Sequence, residues 1–449
     1  VTGALGRLAA RLHLDRPAIR AWMLYDWANS AMYVVIVTAI FPTYFSSVAA
    51  AGLPPVEATY RYSLATTLGL TIIALLSPLL GAIADHSAAK KRLLGAFLLL
   101  GAAAVAAMYF IERGQWVFAA GLFIVANIGV NGSFVFYDSL LPHVAGPDEM
   151  DQVSTAGYAL GYLGGGLFLV ACLGIILAPG AFGLPHGAGL TPAQATLPTR
   201  ITFLLTALWW MGFSVPLFRR VPEPPGRSLD AEEARLGAIR ASFFRLGQTF
   251  RKLRGYRQAF LLLLAFLIYN DGVGTIIRMA AIYGEEIGIG RTTMIAAIAL
   301  VQFVGVPFAY LFGGLAKKFG TRPAIFVGLV TYVGISALGF YMRSDRDFIV
   351  LAVLVGMVQG GVQALSRSLF ASMVPRHLSG EFFGFFAVFE KFAGILGPAL
   401  FSLAIAMTGS SRMALLSVVG FFVVGGVLLA GVNVAEGQRI AREEELAAA

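Results

Sequence analysis

The residues able to do chemistry stand out because their surroundings are almost wholly apolar. Asp26 shares a helical face with Asn29, Ser30 and Tyr33, at i, i+3, i+4 and i+7. Tyr269-Asn270-Asp271 lies inside another apolar run, and Arg278 follows seven residues on, on the same face. Glu390 and Lys391 are adjacent and point in different directions, so they are not expected to neutralise one another across a helix face. Asn127, Asn131, Gln302, Gln359 and Gln363 offer amides that could hold a zwitterion or a neighbouring helix. An ionisable group in hydrocarbon is costly and marks a ligand or ion path. The expected substrate or ion set is therefore Asp26, Asn29, Tyr33, Asn127, Asn131, Tyr269, Asn270, Asp271, Arg278, Gln359, Gln363, Glu390 and Lys391. Asp271 carries the strongest expectation, as the coupling or substrate-anchoring carboxylate. It lies about 20 Å into its apolar run at 1.5 Å per residue, and Gly272 and Gly274 are expected to loosen the helix there.

Other chemistries find no support. The five histidines (His13, His86, His143, His186 and His377) fall in loops or tails without metal-ligand spacing. Cys172 is the single cysteine and lies in an apolar run, which excludes a disulfide framework or a cysteine metal site. No phosphate-binding loop pattern occurs, and Gly161, Gly164, Gly165 and Gly166 lie within an apolar helix, where they serve close packing. No cofactor, metal or enzymatic reaction is expected. Asn131-Gly132-Ser133 matches a glycosylation sequon but is buried in a span.

The elements that position these residues follow from composition. Hydrophobic residues make up 58% of the 449-residue chain and charged residues only 13%, about half the share a soluble domain carries (~25%). The solvent for most of the chain is therefore lipid. A span needs about 20 mostly apolar residues, and the sequence predicts twelve, at 22–48, 61–85, 93–111, 115–137, 153–178, 199–218, 258–283, 292–316, 323–342, 347–370, 382–408 and 412–433. The first run is too long for a cleaved signal and reads as a retained span; Val1 in place of Met suggests a trimmed terminus. With both termini in the cytoplasm, the inward segments hold 23 Lys and Arg against 7 outside, which sets that orientation. The net charge of +9 is spread among these loops, so no nucleic-acid surface is expected. Five regions result: a cytoplasmic segment 1–21, a six-helix bundle 22–218, a cytoplasmic linker 219–257, a second six-helix bundle 258–433 and a cytoplasmic tail 434–449. The linker reads either as an amphipathic surface helix at 230–257 or as a solvated tether.

The two bundles echo one another. Tyr25-Asp26 answers Tyr269-Asn270-Asp271; Gly81-Ala82-Ile83-Ala84-Asp85 with Lys90 and Arg92 answers Gly313-Gly314-Leu315-Ala316-Lys317 with Gly320 and Arg322; Asp138-Ser139-Leu140 answers Arg367-Ser368-Leu369. Duplicated bundles of this kind are a transporter architecture. The stretch from Gly81 to Arg92 resembles the loop motif of the major facilitator superfamily, with His86, Ala88 and Ala89 where the family commonly has a basic residue, Gly and Arg. The resemblance implies a conformational latch built from Gly81, Asp85, Lys90, Arg92, Asp138, Gly313, Arg322 and Arg367. In it Asp85 would cap a helix N-terminus of the other half, and Lys90 or Arg92 would reach Asp138. Tyr25-Asp26-Trp27-Ala28-Asn29-Ser30, Phe41-Pro42-Thr43-Tyr44-Phe45, Ser379-Gly380-Glu381-Phe382-Phe383-Gly384-Phe385 and Glu390-Lys391-Phe392 resemble the branch that includes the autophagy-related vacuolar amino-acid effluxers and their bacterial relatives.

The expected protein is thus an all-α membrane transporter of twelve helices in two bundles. It moves a small polar metabolite, amino acids first, by alternating access with possible proton coupling. It is expected to work as a monomer in the lipid bilayer, in a bacterial inner membrane. Export of amphipathic drugs or lipids is the alternative within transport, and a non-transporting receptor or enzyme the alternative outside it.

Overall fold

The computed structural model describes residues 16–226, 255–393, 396–408 and 411–448. Most of the expected linker and most of the N-terminal segment lie outside the described residues, as does the side chain of Arg278. The described residues are helical with short connections and hold no strand. Six helices form the first bundle: α1 (Pro17–Ala49), α2 (Pro55–Ser87), α3 (Lys90–Ala107), α4 (Trp116–Ser139), α5 (Met150–Leu177) and α6 (Pro192–Arg220). The second contains α7 (Arg257–Glu286), α8 (Arg291–Phe319), α9 (Thr321–Tyr341), α10 (Asp345–Ala371), α11 (Ser379–Phe392), α12 (Leu396–Thr408), α13 (Ser411–Ser417) and α14 (Val419–Ala430), followed by α15 (Val434–Ala448).

Among the described residues ten helices, α1 to α10, are long and apolar enough to cross a membrane, or eleven if the pair Leu415–Ala430 and Val434–Ala447, bent by 58°, counts as one. The run expected as the eleventh span is divided into α11 and α12, neither long enough alone. Large apolar side chains such as Leu75, Leu99, Val117, Leu208, Val330 and Val427 are exposed, as suits surfaces facing lipid tails.

α1 departs from regular geometry. Tyr33–Ala39 and Phe45–Ala49 are π-helical. Pro42 lies between them and cannot donate a backbone hydrogen bond, and it follows the β-branched run Val34-Val35-Ile36-Val37-Thr38. The Thr38 hydroxyl donates to the Tyr33 carbonyl at 3.2 Å, across the widened turn.

Helix contact is closest where glycines remove side chains. A Cβ on Gly161 would stand 2.6 Å from Ser30 Oγ, and one on Gly164 2.7 Å from the Trp27 ring, so α5 rests almost directly on α1. This is the packing expected of those glycines, in a solvent where van der Waals contact between helices replaces the hydrophobic drive.

The two bundles meet mainly at the end carrying the start of α1 and the α14–α15 bend, called here the terminal end. One apolar core joins the second bundle to the terminal half of the first, through residues such as Trp22, Tyr137, Leu262 and Phe382. A separate core, containing Phe41, Phe123, Phe203 and Trp210, fills the distal half of the first bundle, with Ile298 and Ala299 of the second bundle packed against its edge. The interface helices pair α2 with α11 and α5 with α8.

Candidate functional site

At the terminal end α2 and α11 touch backbone to backbone. A Cβ on Gly81 would lie 2.0 Å from the Gly380 carbonyl oxygen, and one on Gly384 2.6 Å from that of Ser77. Asp85, one turn beyond Gly81, accepts from the backbone N–H of Gly380 at 3.0 Å and of Glu381 at 2.8 Å, capping the N-terminus of α11. The orphan N–H groups and the dipole both favour an anion there. This is the contact expected for Asp85. Lys90 is buried beside it, with Nζ 2.8 Å from Asp85 Oδ1, 2.6 Å from Ser379 Oγ and 3.2 Å from His143 Nε2. Ala88, where the motif commonly has Gly, takes the left-handed conformation at φ 48°, a strain that Gly would relieve.

The remaining latch expectations need correction. Neither Lys90 nor Arg92 reaches Asp138: Lys90 is committed to Asp85 and Ser379, and Arg92 is exposed. Asp138 instead pairs with Arg367 of α10 at 3.0 Å. Arg322 does not cross between bundles. Its Nη1 donates to the Ala430 and Val432 carbonyls at the end of α14, where a cation complements the helix C-terminus. Gly313 does sit on the interface, since a Cβ there would be 2.3 Å from Thr155 Oγ1 of α5. Asp151, which sequence reasoning missed, lies a turn before Thr155 and accepts from Thr321 Oγ1 at 2.6 Å and from Ser368 Oγ.

Arg367 is the centre of the interface. It is 2% exposed, and every hydrogen bond it makes here is to the first bundle. Nη1 donates to Asp138 Oδ1 at 3.0 Å, Nη2 to Asp26 Oδ2 at 3.5 Å and to the Ser154 carbonyl at 3.1 Å, and Nε to Ser154 Oγ at 3.0 Å. Its guanidinium carbon lies 4.9 Å from the ring centre of Trp22, 5.6 Å from that of Tyr137 and 4.6 Å from that of Tyr158. Asp26 also accepts from Tyr137 Oη at 2.7 Å. Asp26 and Arg367, expected in separate roles, therefore belong to one cluster. The aromatic members went unnoticed, although Trp22 lies one helical turn before Asp26.

The other expected residues divide. Gln359 and Gln363 share the Arg367 face of α10, at i, i+4 and i+8, and are half-buried. Tyr269 pairs its hydroxyl with Ser366 Oγ at 2.6 Å, whereas Asn270 is half-buried on α7. Asn29 is buried on α1 and Tyr33 is exposed beyond it. Asn127 and Asn131 are buried too, and their amide nitrogens bond back to the Phe123 and Asn127 carbonyls of α4 at 2.9 Å, so these groups serve their own helix. Glu390 and Lys391 contradict the expectation that adjacent residues do not pair. Their charged ends meet at 2.9 Å, because both stems are long and flexible and the pair sits in the last turn of α11. Lys391 also lies 6.0 Å from the Phe134 ring centre, facing α4.

Asp271 is fully buried, with Oδ2 accepting from the Gly397 N–H at 2.7 Å. Gly272 and Gly274 do not interrupt α7, which runs unbroken from Arg257 to Glu286. The break lies opposite, between α11 and α12, and Asp271 holds the N-terminus of the second piece. Two aspartates, one from each bundle, thus cap the two pieces of the eleventh expected span.

Asp85→Asn removes the charge that holds Lys90 and weakens the cap. Hydrogen bonds to charged groups contribute about 1.5–3 kcal/mol each, so the open population at the terminal end is expected to rise about tenfold or more. A reporter cysteine at Ala364→Cys, in a Cys172→Ala background, should label correspondingly faster; an unchanged rate would remove Asp85 from the latch.

Two bundles of apolar helices meeting around buried charge are an architecture found in membrane transporters. The solved structure of the proton:xylose symporter XylE superposes with a TM-score of 0.71 at 13% identity, covering 96% of this chain and 98% of that one. The FucP transporter in its outward conformation superposes at 0.65 and 12% identity, covering 93% and 98%. The family described as "Vacuole effluxer Atg22 like" matches residues 57–442, and the chain belongs to it. The MFS-type transporter YxiO of Bacillus subtilis, strain 168, is 38% identical over 91% of this chain and 93% of its own length. Autophagy-related protein 22 of Coccidioides immitis is 23% identical, over 86% and 74%.

Proposed function

We propose that the protein is a secondary transporter that moves a small polar metabolite, amino acids first, by alternating access between two six-helix bundles. The observation that carries this reading is the placement of the inter-bundle polar contacts. Asp85 with α11, Arg367 with Asp26 and Asp138, and Asp151 with Thr321 and Ser368 all lie at the terminal end. The distal half of the first bundle keeps a core of its own. Such an arrangement rocks about a central site when the contacts at one end are exchanged for contacts at the other. With the Lys and Arg bias of the loops, the terminal end is cytoplasmic, the chain crosses the membrane twelve times with α11 and α12 as one broken span, and the membrane is the bacterial inner one. In this reading the bundles span 22–218 and 258–433. Protons couple through the buried carboxylates Asp26 and Asp138, which outnumber the single guanidinium between them.

Counterflow into proteoliposomes tests the reading. Liposomes preloaded with a mixture of unlabelled amino acids should accumulate at least one labelled amino acid above protein-free controls, and accumulation should fall when Arg367 is replaced. No counterflow for amino acids or other small polar metabolites would sink it, and counterflow of lysolipids alone would favour lipid export instead.

A further inference from the structure

Arg367 is a side chain of the second bundle lodged in a receptor made wholly by the first. The walls are Trp22 and Asp26 of α1, Tyr137 and Asp138 of α4, and Ser154 and Tyr158 of α5. They are braced without help from Arg367. Trp22 stacks on Tyr137 at 4.5 Å and donates its indole N–H to the Tyr137 carbonyl at 3.0 Å, and the Tyr137 hydroxyl holds Asp26. Gly157 makes the floor: a Cβ there would lie 2.6 Å from Asp26 Oδ2 and 3.5 Å from Arg367 Nη2. Two carboxylates and three ring faces around one planar cation are the recognition chemistry of a guanidinium or alkylammonium group.

We infer that this box is a cation-binding site for the transported molecule, and that Arg367 is its tethered stand-in while the terminal end is closed. This deepens the transport reading above and rests on it for the movement of cargo. When the bundles part, Arg367 leaves with α10, and Asp26 and Asp138 remain together without a counter-charge. Such a buried pair is costly to leave unpaired. A guanidinium or ammonium group arriving from the terminal side restores the balance, and returns the box to Arg367 when the bundles close. Cargo and gate thus compete for one receptor, and each shifts the other's equilibrium by the same factor. The substrate class is an organic cation of guanidinium or primary ammonium type, such as a basic amino acid.

The test uses the purified full chain in lipid nanodiscs and titrates methylguanidinium chloride, with sodium chloride and urea as ionic and neutral controls. Arg367→Ala vacates the box and is expected to bind methylguanidinium saturably, at least tenfold tighter than wild type, with no saturable response to urea. Adding Asp138→Asn should remove that gain, and Arg367→Lys, which refills the box, should show none. A folded Arg367→Ala protein that binds no better than wild type, or a gain that survives Asp138→Asn, overturns the inference. If Arg367→Ala is not recovered folded, Gly81→Val, which parts the bundles, decides: a gain over wild type supports the box and its absence overturns it. Counterflow of neutral amino acids without box binding would sink this inference and spare the transport reading. Box binding without counterflow of any substrate would do the reverse.

Discussion

Gly81→Val is expected to hold the protein open at its terminal end and to lower counterflow about a hundredfold, with the chain still folded in the membrane. The Cβ of any larger residue would fall 2.0 Å from the Gly380 oxygen, 2.6 Å from its carbonyl carbon and 3.1 Å from the Glu381 nitrogen. These are backbone atoms at the start of α11 and cannot swing aside. Gly380 is confined too, though less tightly, since a Cβ there would be 2.8 Å from both the Gly81 oxygen and Asp85 Oδ1. Relief requires α2 and α11 to separate, which breaks both hydrogen bonds from α11 to Asp85. At about 1.5–3 kcal/mol for each bond to a charged group, the loss exceeds the ~2.7 kcal/mol that a hundredfold shift requires. The reporter at Ala364→Cys should label at its open-state rate with or without substrate. Gly313→Val is the contrast, because its obstacle is the Thr155 hydroxyl at 2.3 Å, a side chain that can turn away; its effect should be about tenfold smaller. Equal labelling of Gly81→Val and wild type would mean that the α2–α11 contact does not gate the terminal end.

Asp271 separates two roles that one carboxylate could fill. As the cap of α12 it satisfies a buried backbone N–H at 2.7 Å, and the residue it caps has no room to adjust: a Cβ on Gly397 would be 1.7 Å from Thr275 Oγ1. Asp271→Ala leaves that N–H without its acceptor and should cost about 1.5–3 kcal/mol, read as a lower midpoint in thermal unfolding in detergent. It should also abolish counterflow, because the second piece of the broken span loses its anchor. Asp271→Asn keeps an oxygen acceptor and should retain most of the stability and exchange. Uptake driven by a pH gradient then discriminates. If Asp271→Asn keeps it, capping is the role of Asp271 and coupling falls to Asp26 and Asp138. If uptake is lost while exchange survives, Asp271 carries the coupling proton.

Much of this architecture was legible in the sequence because it depends on local composition. Apolar runs near 20 residues give α1 to α10 directly, and the echo between Gly81 and Gly313 finds one interface glycine in each bundle. Asp85 was legible as a cap only through the resemblance of the stretch from Gly81 to Arg92 to the superfamily's loop motif. The Arg367 box was not, because its walls come from three helices whose rotation about their axes follows from packing, and Trp22, Tyr137 and Tyr158 look like any aromatic residues in a span. The break before α12 was sought beside Gly272 and Gly274, but glycine in a helix packed on both sides need not interrupt it. Phe421 and Phe422 stand 3.0 Å from where a Cβ on Gly272 would be, so that glycine serves close packing instead. Pairing of Lys391 with Glu390 was missed because helix-face rules describe where side chains leave the backbone, and four methylenes carry the lysine head well away from that point.

The wide turns of α1 give that helix a property that no other span has among the described residues. A π turn carries one more residue than the α turn it replaces, so the helix beyond it is offset by one residue, about 100° of rotation. Converting the Tyr33–Ala39 stretch to α-helical turns, or passing its extra residue along to Phe45–Ala49, would spin the intervening segment about its own axis. Asp26 and Trp22 would stay where the α5 glycines hold them. The distal part of α1 is thereby built to turn about its own axis, changing the face it presents to the distal core without any tilt of the helix.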